Sequence, residues 1–148
     1  MITIFTDETD ERFQSLVAEL DEGYFKRIGD GLKRYQSYNE FKKPHVVILA
    51  LDGNDAVACA SYRKFDEDSV EFKRVYVKRK YRKRGLAYCL IQKLERLVIE
   101  DGFKHSYIVT GKKNFAAINL YMKLNYKKIE NFGQFKDDDA VICMKKGF

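Results

Sequence analysis

The stretch Lys78-Arg79-Lys80-Tyr81-Arg82-Lys83-Arg84-Gly85-Leu86-Ala87 is where the chain changes its period. Upstream of it the residues read as an antiparallel meander. His45 to Leu51 is a compact β-rich run, Asp52-Gly53-Asn54-Asp55 a turn, and Ala56 to Phe65 the return strand. Asp66-Glu67-Asp68 is a second turn and Ser69 to Val77 a third strand. Downstream, Leu86, Leu90, Leu94 and Leu97, with Ala87, Ile91 and Val98, recur on one helical face. Gly102 stands where a helix C′ glycine belongs. Lys104 to Thr110 is then a strand again. Strand, loop, helix and strand from Ser69 to Thr110 make a βαβ unit inside an otherwise antiparallel sheet.

Working outward, Ile2 to Phe5 reads as a short strand. Asp7 or Thr9 starts a helix whose first turn is acidic and whose apolar face is Phe13, Leu16, Val17 and Leu20. Gly29-Asp30-Gly31 breaks that pattern, and Tyr35 to Pro44 reads as loop or a short helix. Toward the C-terminus, Asn114 to Leu124 is a helix carrying Ala117, Leu120, Tyr121 and Leu124. Tyr126 to Glu130 and Ala140 to Met144 are the last strands. The fold class is α/β (α+β): a central mixed, mostly antiparallel sheet of six or seven strands flanked by about four helices.

The chain has 148 residues, 45% hydrophobic and 34% charged, with one Pro and nine Gly. That excludes collagen-like, low-complexity and disordered classes and suffices for one core without staples. No stretch approaches the ~20 apolar residues of a membrane span. The N-terminus has neither the basic and apolar regions of a signal peptide nor, with Asp7, Glu8, Asp10 and Glu11, the look of a transit peptide. The expected location is cytoplasmic. Cys59, Cys89 and Cys143 are an odd, scattered set in apolar runs, read as small buried hydrophobes rather than a disulfide framework or a zinc site.

The net charge is +6, from 28 Lys and Arg against 22 Asp and Glu. Lys78, Arg79, Lys80, Arg82, Lys83 and Arg84 account for all of it, since without them 22 basic residues face 22 acidic ones. A helix N-terminus has unsatisfied N–H groups and a positive dipole end, and Gly85 and Ala87 let a ligand approach the backbone closely. Such a place cradles a phosphate or pyrophosphate. It is neither a P-loop nor a dinucleotide fingerprint, because the required Gly and Lys-Ser/Thr spacings are missing. Taken alone, a Lys/Arg run also reads as a solvated face or a nucleic-acid patch. Tyr76 and Tyr81 are too few and too badly spaced for a base-stacking platform, so nucleic acid is not the expected partner.

These residues resemble the acyl-CoA-binding motif of the GCN5-related N-acetyltransferase (GNAT) superfamily: Gln or Arg, two residues, Gly, one residue, Gly or Ala. Arg82, Gly85 and Ala87 fill it. Glu71 stands six residues before Val77, as in the family's fourth strand. Thr110-Gly111, Asn114, Ala117, Leu120-Tyr121, Leu124 and Tyr126 resemble its second motif, and Asn131 to Phe135 and Cys143 to Lys146 resemble the ending of small bacterial members. The resemblance covers Val46 to the end. Two positions depart from the pattern. Asn125 replaces the usual Gly, and Asn tolerates the same left-handed conformation. Lys83-Arg84 replaces the commoner Gly-Lys or Gly-Gln.

The resemblance implies a single N-acetyltransferase domain over residues 1–148, with acetyl-CoA as cosubstrate and no metal. It implies that backbone amides of Arg82, Lys83, Arg84, Gly85, Leu86 and Ala87 hold the CoA pyrophosphate. Lys78, Arg79 and Lys80 are left to solvent or the 3′-phosphate. Backbone groups of Val75, Tyr76 and Val77 would pair with the pantetheine arm in a splay between two strands, and Asn114 would contact it. The acetyl group would pass directly to a primary amine of a small molecule or peptide. Tyr121 matches the position that protonates the departing sulfur, and also reads as a core-edge aromatic. Glu71 reads as general base or substrate carboxylate, and equally as an ion pair with Lys73 or a cross-strand cation. His45 and His105 read as structural or exposed. The acceptor pocket would draw on Tyr24, Tyr35, Tyr38, Asn39, Phe132 and Phe135, an aromatic lining that suits a cationic amine. A homodimer is compatible with all of this. The alternatives are a catalytically inactive acetyl-CoA binder and a nucleic-acid module using residues 78–84.

Overall fold

A computed structural model describes residues 1–28 and 45–148. Seven strands form one sheet in the order β1-β2-β3-β4-β5-β7-β6. They are β1 (Ile2–Asp7), β2 (Val46–Asp52), β3 (Asp55–Asp66), β4 (Ser69–Val77), β5 (His105–Gly111), β6 (Lys127–Ile129) and β7 (Val141–Gly147). The described residues contain three α-helices: α1 (Glu11–Ile28), α2 (Leu86–Glu100) and α3 (Phe115–Lys123). About four were expected, and Tyr35 to Pro44, read as loop or short helix, lies outside the described residues.

The meander β2–β3–β4 forms as expected, and β4 and β5 are the one parallel pair among the described residues. α1 starts later than either expected residue. Asp7 is occupied in a turn, its Oδ1 accepting the backbone N–H of Thr9. Asp10 takes over the cap, with Oδ1 accepting the N–H of Arg12 at 2.9 Å. Its apolar face of Phe13, Leu16 and Val17 closes over Val47, Leu49 and Cys59 on one face of the sheet. On the other face Leu90, Ile91, Leu94 and Val98 of α2 pack with Ile48, Val70, Phe72, Ile108 and Met144.

Both helices of the C-terminal half end in Schellman motifs. Gly102 has φ 88, with its N–H on Ile99 and that of Phe103 on Val98. Asn125 has φ 71, with its N–H on Met122 and that of Tyr126 on Tyr121. Asn125 thus does the work of the glycine it replaces. Cys59 and Cys143 are buried, as read from their apolar runs, but Cys89 is exposed. It precedes the buried Leu90 and Ile91 on α2 and so falls on the helix's outer side.

Two irregularities in β4 prepare the site. Opposite β3, Cys59 pairs with Tyr76 but Ser61 with Lys73, so β4 carries one extra residue. Arg74, at φ 58, is that bulge. It reverses the alternation of the strand. Val70 and Phe72 face α2 before it, Val75 and Val77 after it, and Tyr76 turns to the α1 face. The Arg74 guanidinium is anchored by Asp21 of α1. The second irregularity is the parallel pairing itself. It runs Ser69↔His105, Val70↔Ser106, Glu71↔Tyr107, and stops. Beyond it Phe72–Val77 and Ile108–Gly111 diverge.

Candidate active site

The diverging strands leave a cleft in the middle of the sheet. Because β4 and β5 are parallel and each is followed by a helix, α2 and α3 both present their N-termini at the open end of that cleft. The two ends are finished differently. At α3, Asn114 Oδ1 accepts the N–H of Ala117 at 3.2 Å, an ordinary side-chain cap. At α2 the cap residue is Gly85, at φ 76, with no side-chain cap. A Cβ built on Gly85 would meet nothing within 4 Å. Lys83 is also left-handed, at φ 63. Alternating left-handed residues ahead of an uncapped helix turn successive N–H groups into a concave anion seat.

Two of the three arginines of the run, Arg82 and Arg84, are committed to building that loop. Arg82 Nε donates to the Val77 carbonyl at 2.7 Å, and its guanidinium lies over the Tyr76 ring. Arg84 donates to the Lys80 carbonyl and covers the Tyr81 ring, whose hydroxyl donates to Asp52 at 2.6 Å. Lys78 reaches Glu19 of α1 at 3.7 Å. The seat is therefore chiefly backbone, with Lys83 exposed beside it.

Deeper in the cleft, Glu71 is almost fully buried on the α1 face of β4. Arg63, directly across on β3, donates to Glu71 Oε1 at 3.0 Å. Burial pushes the proton affinity of Glu71 upward, against the nearby charge of Lys73. The expected ion pair is thus the cross-strand one. A regular hairpin around Glu67-Asp68 pairs Lys64 with Glu71; the register shift between Lys64 and Asp66 brings Arg63 there instead. Behind them His45 is buried, with Nδ1 3.4 Å from Ser61 Oγ, while the Ser61 hydroxyl donates to the Lys73 carbonyl. Desolvation, then Lys73 and Arg63, hold His45 down at about 4.

Beside Glu71, starting from its β5 neighbour Tyr107, lies a group of rings that composition alone does not single out. Phe65, Tyr107 and Phe132 meet pairwise at 4.8 to 5.4 Å between centroids. Phe132 was an expected pocket residue; Phe65 and Tyr107 were not. Phe135 is buried in a short turn over Gly133–Phe135. Tyr38, Tyr35 and Asn39 lie outside the described residues, and of Tyr24 only the helical backbone is described. Tyr121 sits on α3 in the α2-side core, its ring 6.0 Å from that of Tyr126 and edge-on. The described residues hold no cluster of metal-ligating side chains and no helix long and apolar enough to cross a membrane.

A model of the acetyltransferase (GNAT) family matches residues 9–126. A curated relative, the "Probable N-acetyltransferase 14" of Xenopus tropicalis, is 29% identical over 97 residues, 65% of this chain and 47% of that protein. The chain thus spans about half the length of that relative. Among solved structures, a proposed acyl-CoA N-acyltransferase of Klebsiella pneumoniae superposes with TM-score 0.79 at 25% identity, covering 99% of this chain and 97% of that one. The PaiA N-acetyltransferase of Thermoplasma acidophilum, solved with coenzyme A, has the same fold at TM-score 0.71 and 14% identity, with 100% of both chains covered.

Proposed function

The chain belongs to the acetyltransferase (GNAT) family, and from that premise we propose that it is an N-acetyltransferase moving an acetyl group directly from acetyl-CoA to a primary amine. The observation that carries the proposal is the uncapped, left-handed Gly85 at the mouth of the β4–β5 cleft. It is a seat with room for a pyrophosphate, and the cleft beside it is open to an extended arm.

Bound acetyl-CoA supplies an activated thioester. The backbone N–H groups of Arg82 to Ala87 would hold its pyrophosphate, with Lys83 adding charge. Backbone groups of Val75, Tyr76 and Val77, past the Arg74 bulge, would bind the pantetheine arm along β4. Asn114 Oδ1 already holds the α3 cap, so Asn114 would contact that arm through Nδ2. Glu71 would take the amine proton, directly or through water. Its raised proton affinity suits a base facing an ammonium, and Arg63 occupies only Oε1, leaving Oε2 for the acceptor. Tyr121 would donate a proton or a hydrogen bond to the departing sulfur, since phenol and thiol are of comparable basicity.

Isothermal titration is expected to show acetyl-CoA binding, and Gly85→Asp to abolish it by setting a carboxylate against the phosphates. No binding by the parent protein would refute the proposal. The Arg63–Glu71 pair favours a second reading, an acetyl-CoA binder in which Glu71 is purely structural. Turnover against an amine panel separates the two.

A further inference from the structure

One rung of the sheet runs through Glu71 from β3 to the β6 edge. Register places Arg63 opposite Glu71, Glu71 beside Tyr107, Tyr107 opposite Lys145, and Lys145 opposite Lys127. All five point to the α1 face, because their neighbours Phe72, Ile108, Met144 and Tyr126 pack on the α2 face. The end of this rung runs against sheet energetics. Like charges directly opposite on neighbouring strands repel, yet Lys127 and Lys145 are such a pair. The Lys145 ammonium leans back over the Tyr107 ring, 5.2 Å from its centroid, toward Glu71. Lys146, one residue on, is neutralised by Glu95 at 2.9 Å on the opposite face. Two strand spacings of ~4.8 Å separate the Glu71 and Lys145 backbones, a span one small molecule bridges.

We propose that the amine acceptor carries its own carboxylate, which Lys145 and Lys127 bind while the amine is held at Glu71. This rests on the acetyltransferase reading above and narrows it: an amino acid or an acidic peptide N-terminus, rather than a polyamine. The ring of Tyr107, with Phe132 and Phe65 beside it, is the apolar floor between the two charged ends. The acidic run Asp137–Asp139 belongs to the other end of the β6–β7 connection, where the Ala140 carbonyl accepts the N–H of Lys112. It does not neutralise the rung.

The test uses the full chain and matched amines. Aspartate is compared with its diamide, an Asp-initiated tripeptide amide with the Asn-initiated one, and spermidine serves as a purely cationic control. The carboxylate member of at least one pair should have kcat/KM about tenfold above its amide, the scale of one charge-assisted contact. Which pair responds distinguishes a free amino acid from a peptide terminus. Lys145→Glu, and independently the exposed Lys127→Glu, should erase or invert that preference with acetyl-CoA affinity unchanged. Amides or spermidine used as well as the carboxylates, or a preference insensitive to both variants, would overturn the proposal. Should acetyl-CoA bind without turnover, N-acetylaspartate titrated against its diamide on the CoA complex decides, and equal binding overturns it. Absence of acetyl-CoA binding is a different failure, that of the acetyltransferase reading, and the same titration without CoA still reads the lysine pair.

Discussion

At the residue scale, Tyr121 and His45 make separable predictions. Tyr121 is buried at 6% exposure, so Tyr121→Phe keeps the packing and removes only the hydroxyl. It is expected to lower kcat while acetyl-CoA affinity by titration stays near the parent value; equal loss of both would remove the acid role. His45 is a buried base whose proton affinity falls from 6.5 to about 4 on folding. At this site the unfolded chain therefore binds more protons between those values, and the stability contributed by His45 falls as pH drops from 6.5 toward 4, by up to about 3 kcal/mol, while the raised proton affinity of buried Glu71 acts in the opposite sense. Urea midpoints of the parent and of His45→Gln at pH 7 and pH 4.5 isolate it: relative to the parent, the variant should be more stable at pH 4.5 than at pH 7. A histidine read from sequence as merely structural or exposed is thus one source of acid sensitivity in the fold. Its burial depends on Ser61 and on Glu8, whose carboxylate accepts the His45 backbone N–H, contacts too distant in sequence for local patterns to reveal.

At the element scale, local chemistry was the legible part. Turn residues, the period change at Gly85 and the Gly102 stop all lie where the pattern put them, because each depends on φ preferences or on one apolar face. Asn125 follows the same logic. Asn125→Ala is expected to cost about 1 kcal/mol through left-handed strain. Asn125→Gly should stay within about 0.5 kcal/mol of the parent, both read from urea denaturation. The Arg74 bulge was not legible. An extra residue in a strand leaves no compositional mark, and here a bulky cation adopts the left-handed conformation because Asp21 on α1 holds its side chain. Without the bulge, Glu71 and Tyr76 read as opposite faces of one regular strand. The structure puts both on the α1 face, so the stretch carrying the proposed base and the stretch proposed to bind pantetheine cannot be deduced from alternation alone.

At the scale of the whole molecule, the net charge of +6 reads differently once the loop is seen. Arg82 and Arg84 brace their own backbone against Tyr76, Tyr81, Val77 and Lys80, and Lys78 turns to Glu19. A surface so engaged makes a poor phosphate track. Fluorescence anisotropy with duplex DNA is expected to show no binding at 150 mM salt; retained binding there, steeply salt-dependent, would revive the nucleic-acid reading. What composition cannot express is that the functionally telling cations are elsewhere, at Lys127 and Lys145, two lysines among many until the strand register places them on the rung of Glu71.

The early parting of β4 and β5 has one more consequence. A sheet normally has two edges, and proteins guard them because an unpaired strand recruits another. This sheet has four, since Phe72–Val77 and Ile108–Gly111 each turn an unmatched side inward. These inner edges lie within the sheet, each facing the other across the cleft. A slender chain with amide groups, such as the proposed pantetheine, would stand in for the missing strand there and make the sheet continuous only while the protein is loaded.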